Sequence, residues 1–207
     1  MTLLLPLLIA YSLIGEVFHE AAGTVLFFLF VFHHILNRRW ILSVFRGTYS
    51  GARLFQTALA LLLAVFMILQ PLSGILMSRH LYTFLPLLPA TALARQVHML
   101  LAYWRYVLMC LHAGTHLRAP FRRLKRNGRR AWTVLCLVLG LVSAYGCLSF
   151  VKRGFPGYML AGTAFAFFDY GEPLVFFIGD YLAVMVLFMT AGCLLMEVLS
   201  DRKGSAG

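Results

Sequence analysis

The stretch ARQVHMLLAYWRYVLMCLHAGTH, residues 94 to 116, holds His98 and His112 with thirteen residues between them in a run of mostly apolar side chains. The same interval recurs in FHEAAGTVLFFLFVFHH, residues 18 to 34, between His19 and His33. Fourteen helical steps advance about 21 Å and return to within about 40° of the starting face, so each helix presents imidazoles at two depths on one side. Two helices of this kind, lying side by side and running the same way, predict two sites. Each site takes one histidine from either helix.

Outward from these stretches, the whole chain is apolar. Of its 207 residues, 61% are hydrophobic and 12% charged, which excludes a disordered chain and an ordinary soluble domain. The expectation is an all-α membrane protein forming a six-helix bundle. Its apolar segments run from Leu3 to Val17, Ala22 to Leu36, Leu54 to Met77, Thr91 to Leu117, Ala131 to Val151 and Pro173 to Leu199. Breaks are expected at Asn37 to Arg39, Gly47 to Gly51, Pro86 and Pro89, Pro120 to Arg130, and Gly154 to Gly157, with a short polar tail after Ser200. No soluble domain remains. Residues 1–207 read as one unit, with a ligand-binding core over about 10–118 and a C-terminal helix pair over about 131–200. The first segment covers only about 22 Å of a core of about 30 Å, so it is a short span or one whose start lies upstream. It has no basic leader or small-residue cleavage site and is read as helix, not signal peptide.

The net charge of +11 would suit nucleic acid, but the bases lie in clusters between apolar runs, and no nucleic-acid partner is expected. Thirteen fall in the segments 38–53 and 118–130 and in the tail, against four at Arg79, Arg95, Lys152 and Arg153. By the positive-inside rule the basic segments and both termini are cytoplasmic, and the turn at Glu16 to Gly23 faces outward. His19 then lies level with His98, and His33 with His112. Arg105 is left inside the fourth helix, where it should face the bundle or a cofactor carboxylate.

Neutral imidazoles at equal depth on neighbouring helices are the axial ligand set of a b-type haem, and two such levels form an electron path. His19 with His98 and His33 with His112 are the candidate ligands to two haem irons, with His34 and His116 as rivals at the inner level. Arg95, Arg79 and Arg38, with Arg39 and Arg118, are candidate partners for haem propionates. Gly15, Gly23 and Gly114 would let a flat macrocycle approach the backbone, or else serve helix packing. His80 reads as a solvated loop residue. Asp169, Glu172 and Asp180 read as solvated carboxylates near the outer headgroups, with a proton-handling role for a quinol as the lesser reading.

Other chemistry has less support. His19-Glu20-Ala21-Ala22-Gly23 begins like a zinc-protease motif but has glycine where the second ligand belongs. Cys110, Cys136, Cys147 and Cys193 form neither a C-x-x-C nor a C-x-x-C-H and read as thiols packed among lipid-embedded helices. No glycine-rich nucleotide loop follows a strand, so a flavin would sit on another polypeptide. A small transporter or assembly factor, with histidines relaying protons or binding metal, is the alternative from another class.

The stretches AYSLIGEVFHEAAG (10–23), FHHILNRRW (32–40), LSGILMSR (72–79), ARQVHMLLAYWRYVLMCLHAGTH (94–116) and, more loosely, AFAFFDYGEP (164–173) together resemble the flavinylation-associated cytochrome family of bacterial membrane proteins. Within them, the H-E-x-x-G, H-H-x-L-N and H-x-G-x-H elements carry the resemblance in combination. It implies haem ligation by His19, His33, His98 and His112. It also implies a multi-pass protein of the bacterial inner membrane that exchanges electrons with an extracytoplasmic flavin-binding protein. The chain would be an electron-transfer subunit between a quinol or cytoplasmic-side donor and that flavoprotein, with no stand-alone catalysis.

Overall fold

A computed structural model describes residues 1–85, 92–163, 165–166 and 168–201. The expected break at Pro86 and Pro89, and the tail with Arg202 and Lys203, lie outside the described residues. Among the described residues the chain is helical and has no strand. Five long helices form the body: α3 (Glu16–Leu36), α5 (Gly51–Met77), α6 (Ala92–Thr115), α8 (Arg129–Lys152) and α10 (Leu174–Asp201). Short helices fill the connections: α1 (Leu4–Ile9) and α2 (Tyr11–Ile14) before α3, then α4 (Arg38–Ser43), α7 (Arg118–Asn127) and α9 (Phe155–Met159).

Four helices, Glu16–Leu36, Gly51–Met77, Arg129–Lys152 and Leu174–Ser200, are long and apolar enough to cross a membrane. Large apolar side chains such as Phe28, Leu61, Leu141 and Val175 stand exposed on their outer faces, as lipid contact requires and water would not tolerate. The protein is a helical membrane protein. The fifth long helix, α6, is polar for its length because it carries Arg95, Gln96, His98, Arg105 and His112. It is also the most enclosed, with Leu101, Tyr103, Arg105, Tyr106 and the run to Cys110 buried. Helices α5, α9 and α10 pack around it, so its polar residues are shielded from lipid by protein.

The enclosure depends on close backbone approach. A Cβ on Gly114 would collide with the Met189 carbonyl of α10, and one on Gly192 with the Leu111 carbonyl of α6. On the other flank, a Cβ on Gly146 of α8 would lie 2.5 Å from the Ala183 carbonyl of α10. Gly114 therefore serves helix packing, and the macrocycle role considered for it is corrected.

Three expectations from sequence change. The segment from Leu3 to Val17 is not one helix: it breaks at Ala10 and again at Gly15, which adopts φ +96°. Its two helices are six and four residues long, about 15 Å of rise together, too short to cross a bilayer. Leu5, Leu8 and Ala10 are buried instead, with α1 packed on α3 and α10. The expectation that both termini share one side loses the span on which it rested. Second, the turn expected at Glu16 to Gly23 is the first part of α3. Third, Pro120 to Arg130 was expected as a loop but lies largely in α7, whose Arg118 and Arg122 both pair with Glu197 of α10 at 2.8 Å. Where the helices were expected, α5 gains a first turn capped by Ser50, whose Oγ accepts the Arg53 N–H at 3.3 Å.

Replacing Gly114 or Gly192 by alanine should separate α6 from α10. The expected loss is about 1–3 kcal/mol from overpacking, set against at most about 1 kcal/mol gained in helix propensity. Gly140→Ala, at a site with nothing within 4 Å, is the control. Thermal unfolding in detergent should show a lower midpoint for the first two variants only; equal midpoints in all three would refute the close packing.

Candidate functional site

His19 lies in the first turn of α3, where its backbone N–H donates to the Gly15 carbonyl at 3.1 Å. Glu20, the next residue, fixes how α3 sits against α5. Its carboxylate accepts from Ser78 Oγ at 2.7 Å, the Arg79 N–H at 2.9 Å and the Leu81 N–H at 2.8 Å. Thr24 Oγ1 and Tyr82 Oη, 2.8 Å apart, make a second tie one turn further on. These bonds pin the start of α3 over the end of α5 and turn His19 toward α6.

There it meets His98, with ring centroids 6.2 Å apart and planes at 63°. Each ring has its Nδ1 engaged. His19 Nδ1 lies 2.8 Å from the Leu8 carbonyl, which can only accept, so Nδ1 carries the proton and Nε2 the lone pair. His98 Nδ1 lies 3.0 Å from Ser73 Oγ, whose own proton goes to the Gln70 carbonyl at 2.9 Å. The hydroxyl therefore accepts from His98, which again leaves the lone pair on Nε2. Gln70 Nε2 lies 3.1 Å from that nitrogen, and the Gln70 Oε1 is buried without a partner. Gly74 completes the cradle: a Cβ there would lie 3.3 Å from His98 Cε1.

The ring spacing of the pair is that of two imidazoles sharing one metal, with the Gln70 amide standing on His98 Nε2, where such a metal would bind. Two imidazoles bound to one metal through bonds of about 2 Å have centroids about 6 Å apart. Ligating histidines also usually give their other N–H to a carbonyl or similar acceptor, as both do here. Gln70, Ser73 and Gly74 were missed in the sequence as support for His98. Their signal was a polar i, i+3, i+4 pattern in the apolar run of α5, on the face opposite its lipid-exposed leucines.

The inner four histidines are arranged differently. His33 contacts His34 at 5.6 Å and His112 contacts His116 at 5.1 Å, so the ring contacts run along each helix. His34 Nδ1 bonds the Phe30 carbonyl one turn back at 3.0 Å, and His33 and His116 are exposed. His112 is the enclosed member, and its Nδ1 is buried with no partner. Arg105 lies seven residues, about two turns, from both His98 and His112. It is 7% exposed and its Nε has no hydrogen-bond partner. It faces the bundle, as the sequence suggested.

Among the other candidate residues, Arg79 lies 3.8 Å from Glu16 and His80, exposed, lies 3.5 Å from the same carboxylate. Arg95 covers the Phe165 ring at 5.3 Å, Arg38 is exposed on α4, and Arg118 is held by Glu197. Gly23 faces Leu8 of α1, and Gly15 serves the turn before α3. Cys110 and Cys193 are buried, Cys136 and Cys147 exposed, and all four are free thiols.

A second polar centre stands at the other flank of the same end. Asp180 on α10 is 1% exposed and accepts from Tyr145, from Lys152 Nζ at 2.8 Å and from Arg153 Nε at 2.8 Å. Arg153 also forks onto Glu172 at 2.6 and 2.7 Å. The reading of Glu172 and Asp180 as solvated carboxylates is therefore corrected: two cations and two acids satisfy one another in a network buried at Asp180 and open to the surface at Lys152. Asp169 alone keeps an exposed place, accepting the Gly171 N–H at 2.8 Å. Beside the network lies a cavity of about 180 Å³ walled by Tyr103, Tyr158, Phe168, Phe177, Tyr181 and Arg153.

Compared with known proteins, the chain gives no significant match to a family model, to a curated sequence or to a solved structure.

The Arg153 hydrogen bonds hold the Glu172 carboxyl below the usual glutamate range. A depressed carboxyl contributes stability that is complete above the unfolded value of about 4.3 and is lost as pH falls through the lower folded value. Glu172→Gln should therefore flatten the fall in thermal stability below about pH 4. A variant with the wild-type slope would show that this ion pair does not contribute.

Proposed function

We propose that the protein is a di-haem b-type membrane cytochrome that moves electrons across a bilayer. The observation that carries this reading is the His19/His98 pair. Two imidazoles from different helices approach with ring centroids 6.2 Å apart, a spacing suited to one shared metal, with each Nδ1 engaged; the Gln70 amide on His98 Nε2 has to turn aside for that nitrogen to bind. A zinc or copper site needs three or four protein donors, whereas haem needs two. Among the described residues no group of three or more His, Cys, Asp or Glu is placed to hold a metal ion, which favours haem over the metal-binding transporter alternative.

On this reading His19 and His98 hold the outer haem, and His33 and His112 the inner one, with His34 and His116 as the inner rivals. Bound haem would supply a one-electron couple at each level. The chain's own residues orient the ligands through the Leu8 carbonyl and Ser73, enclose α6, and place the Arg105 charge between the two levels to favour the reduced state or a propionate. The basic α4 and α7 mark the cytoplasmic end by the positive-inside rule, in a bacterial inner membrane. The exchange partners are a quinol or cytoplasmic-side donor and an extracytoplasmic flavin-binding protein, as the family resemblance implies.

Protein purified from haem-replete cells should show a Soret band, a reducible α-band and two haems per chain by pyridine haemochrome assay. His19→Ala and His98→Ala should each lose about one haem, and His80→Ala none. Loss in His116→Ala with full retention in His112→Ala would reassign the inner ligand. Absence of any haem band in the wild type would end the cytochrome reading.

A further inference from the structure

We propose that the cavity between α6, α9 and α10 binds the headgroup of a membrane quinone, an assignment that rests on the redox reading above. Its volume is about 180 Å³, and a cavity of about 150 Å³ suffices for a benzene ring. One substituted six-membered ring is the right load.

The walls suit a flat, weakly polar ring. Tyr103 stacks on Tyr158 with centroids 4.3 Å apart and planes at 12°, while Phe168 and Phe177 close the other side, 5.9 Å from one another. Aromatic faces of this kind hold a planar guest by offset or edge contacts. Hydrogen bonding comes from the phenols. Tyr103 Oη and Tyr181 Oη lie 3.3 Å apart, so one proton joins the pair and the other remains to be given to a ligand carbonyl.

Charge argues against an anion as occupant. Arg153 and Lys152 border the cavity, but Asp180 and Glu172 neutralise them at 2.6–2.8 Å. A phosphate or carboxylate would have to compete with two built-in carboxylates, whereas a neutral quinone leaves the network intact. The cavity also lies at the end of the bundle remote from basic α4 and α7, where a headgroup can enter while its isoprenoid tail stays among the lipid-exposed side chains.

Its place relative to the histidines completes the argument. Phe168, a wall of the cavity, contacts Tyr11 at 5.2 Å, and Tyr11 contacts His19 at 5.6 Å. Between Phe168 of the cavity wall and the outer histidine pair there are thus two edge-on aromatic contacts, through Tyr11.

The test is equilibrium dialysis of a benzoquinone bearing one isoprenoid unit against the purified full-length protein in detergent, a readout that needs no haem. Saturable binding of one equivalent is expected. Ala166→Phe, which fills the cavity from its lining, should weaken binding at least tenfold; the double variant Tyr103→Phe/Tyr181→Phe, which keeps the walls and removes both donors, should weaken it about tenfold. Haem content and helical circular dichroism should match the wild type in the tyrosine variant, so that variant decides the matter if Ala166→Phe fails to fold. Wild-type affinity in the tyrosine variant, or no saturable binding to haem-replete protein, would overturn the assignment. Cavity-dependent quinone binding by a chain that takes up no haem would overturn the redox reading and leave the pocket standing.

Discussion

The structure depends on the enclosure of one polar helix. Helix α6 carries two arginines and two histidines, Arg105 among them buried, and a bare charge at the centre of a bilayer costs about 3 kcal/mol or more. Such a helix is stable only when protein replaces lipid around it. The replacement is achieved at Gly114 and Gly192, where α6 and α10 touch backbone to backbone, and at Gly146, where α8 closes on α10 in turn. Close contact of this kind supplies van der Waals attraction that lipid tails do not match, and Arg105, on the helix it holds, is buried.

With α6 held on that flank by α10, its other flank is free for α5 and α3. Helix α3 buries few of its own side chains, Ala22 and Leu26 among them, and would rotate freely on apolar contact alone. Directional bonds fix it instead. Glu20 captures the end of α5, and the α1 segment folds back so that the Leu8 carbonyl reaches His19. The N-terminal segment thus acts as a support for a side chain, not as a crossing of the membrane. The two polar centres of the upper bundle, the histidine pair and the Asp180 network, end up on opposite flanks of α6, linked by Tyr11 and Phe168.

Much of this was legible because hydrophobic periodicity and length report burial in lipid directly. The helices α5, α8 and α10 fall within a few residues of their expected ranges, and His19 and His98, paired in the sequence reading, meet ring to ring. What was not legible depends on partners distant in sequence. Leu3 to Val17 is apolar whether it faces lipid or packs beneath α3, so its composition does not distinguish a span from a buried support. The stretch 120–130 reads as loop because it is basic, yet pairing of Arg118 and Arg122 with Glu197, seventy-five or more residues away, allows it to be helix. Asp180 and Glu172 looked solvated for want of knowing that Lys152 and Arg153 return to them.

By itself the sequence determined that this is a helical membrane protein, which segments are apolar, where its positive charge collects and which histidines recur at matching spacing. These follow from local properties: side-chain transfer energy, helical rise and the spacing of residues along one chain. Only the tertiary structure decided that α6 is the enclosed helix, that Gly114 packs against α10, that Ser73 and Gln70 support His98, and that Asp180 is clamped by two cations. Those depend on which surfaces meet, and a one-dimensional pattern specifies the surfaces without specifying their partners.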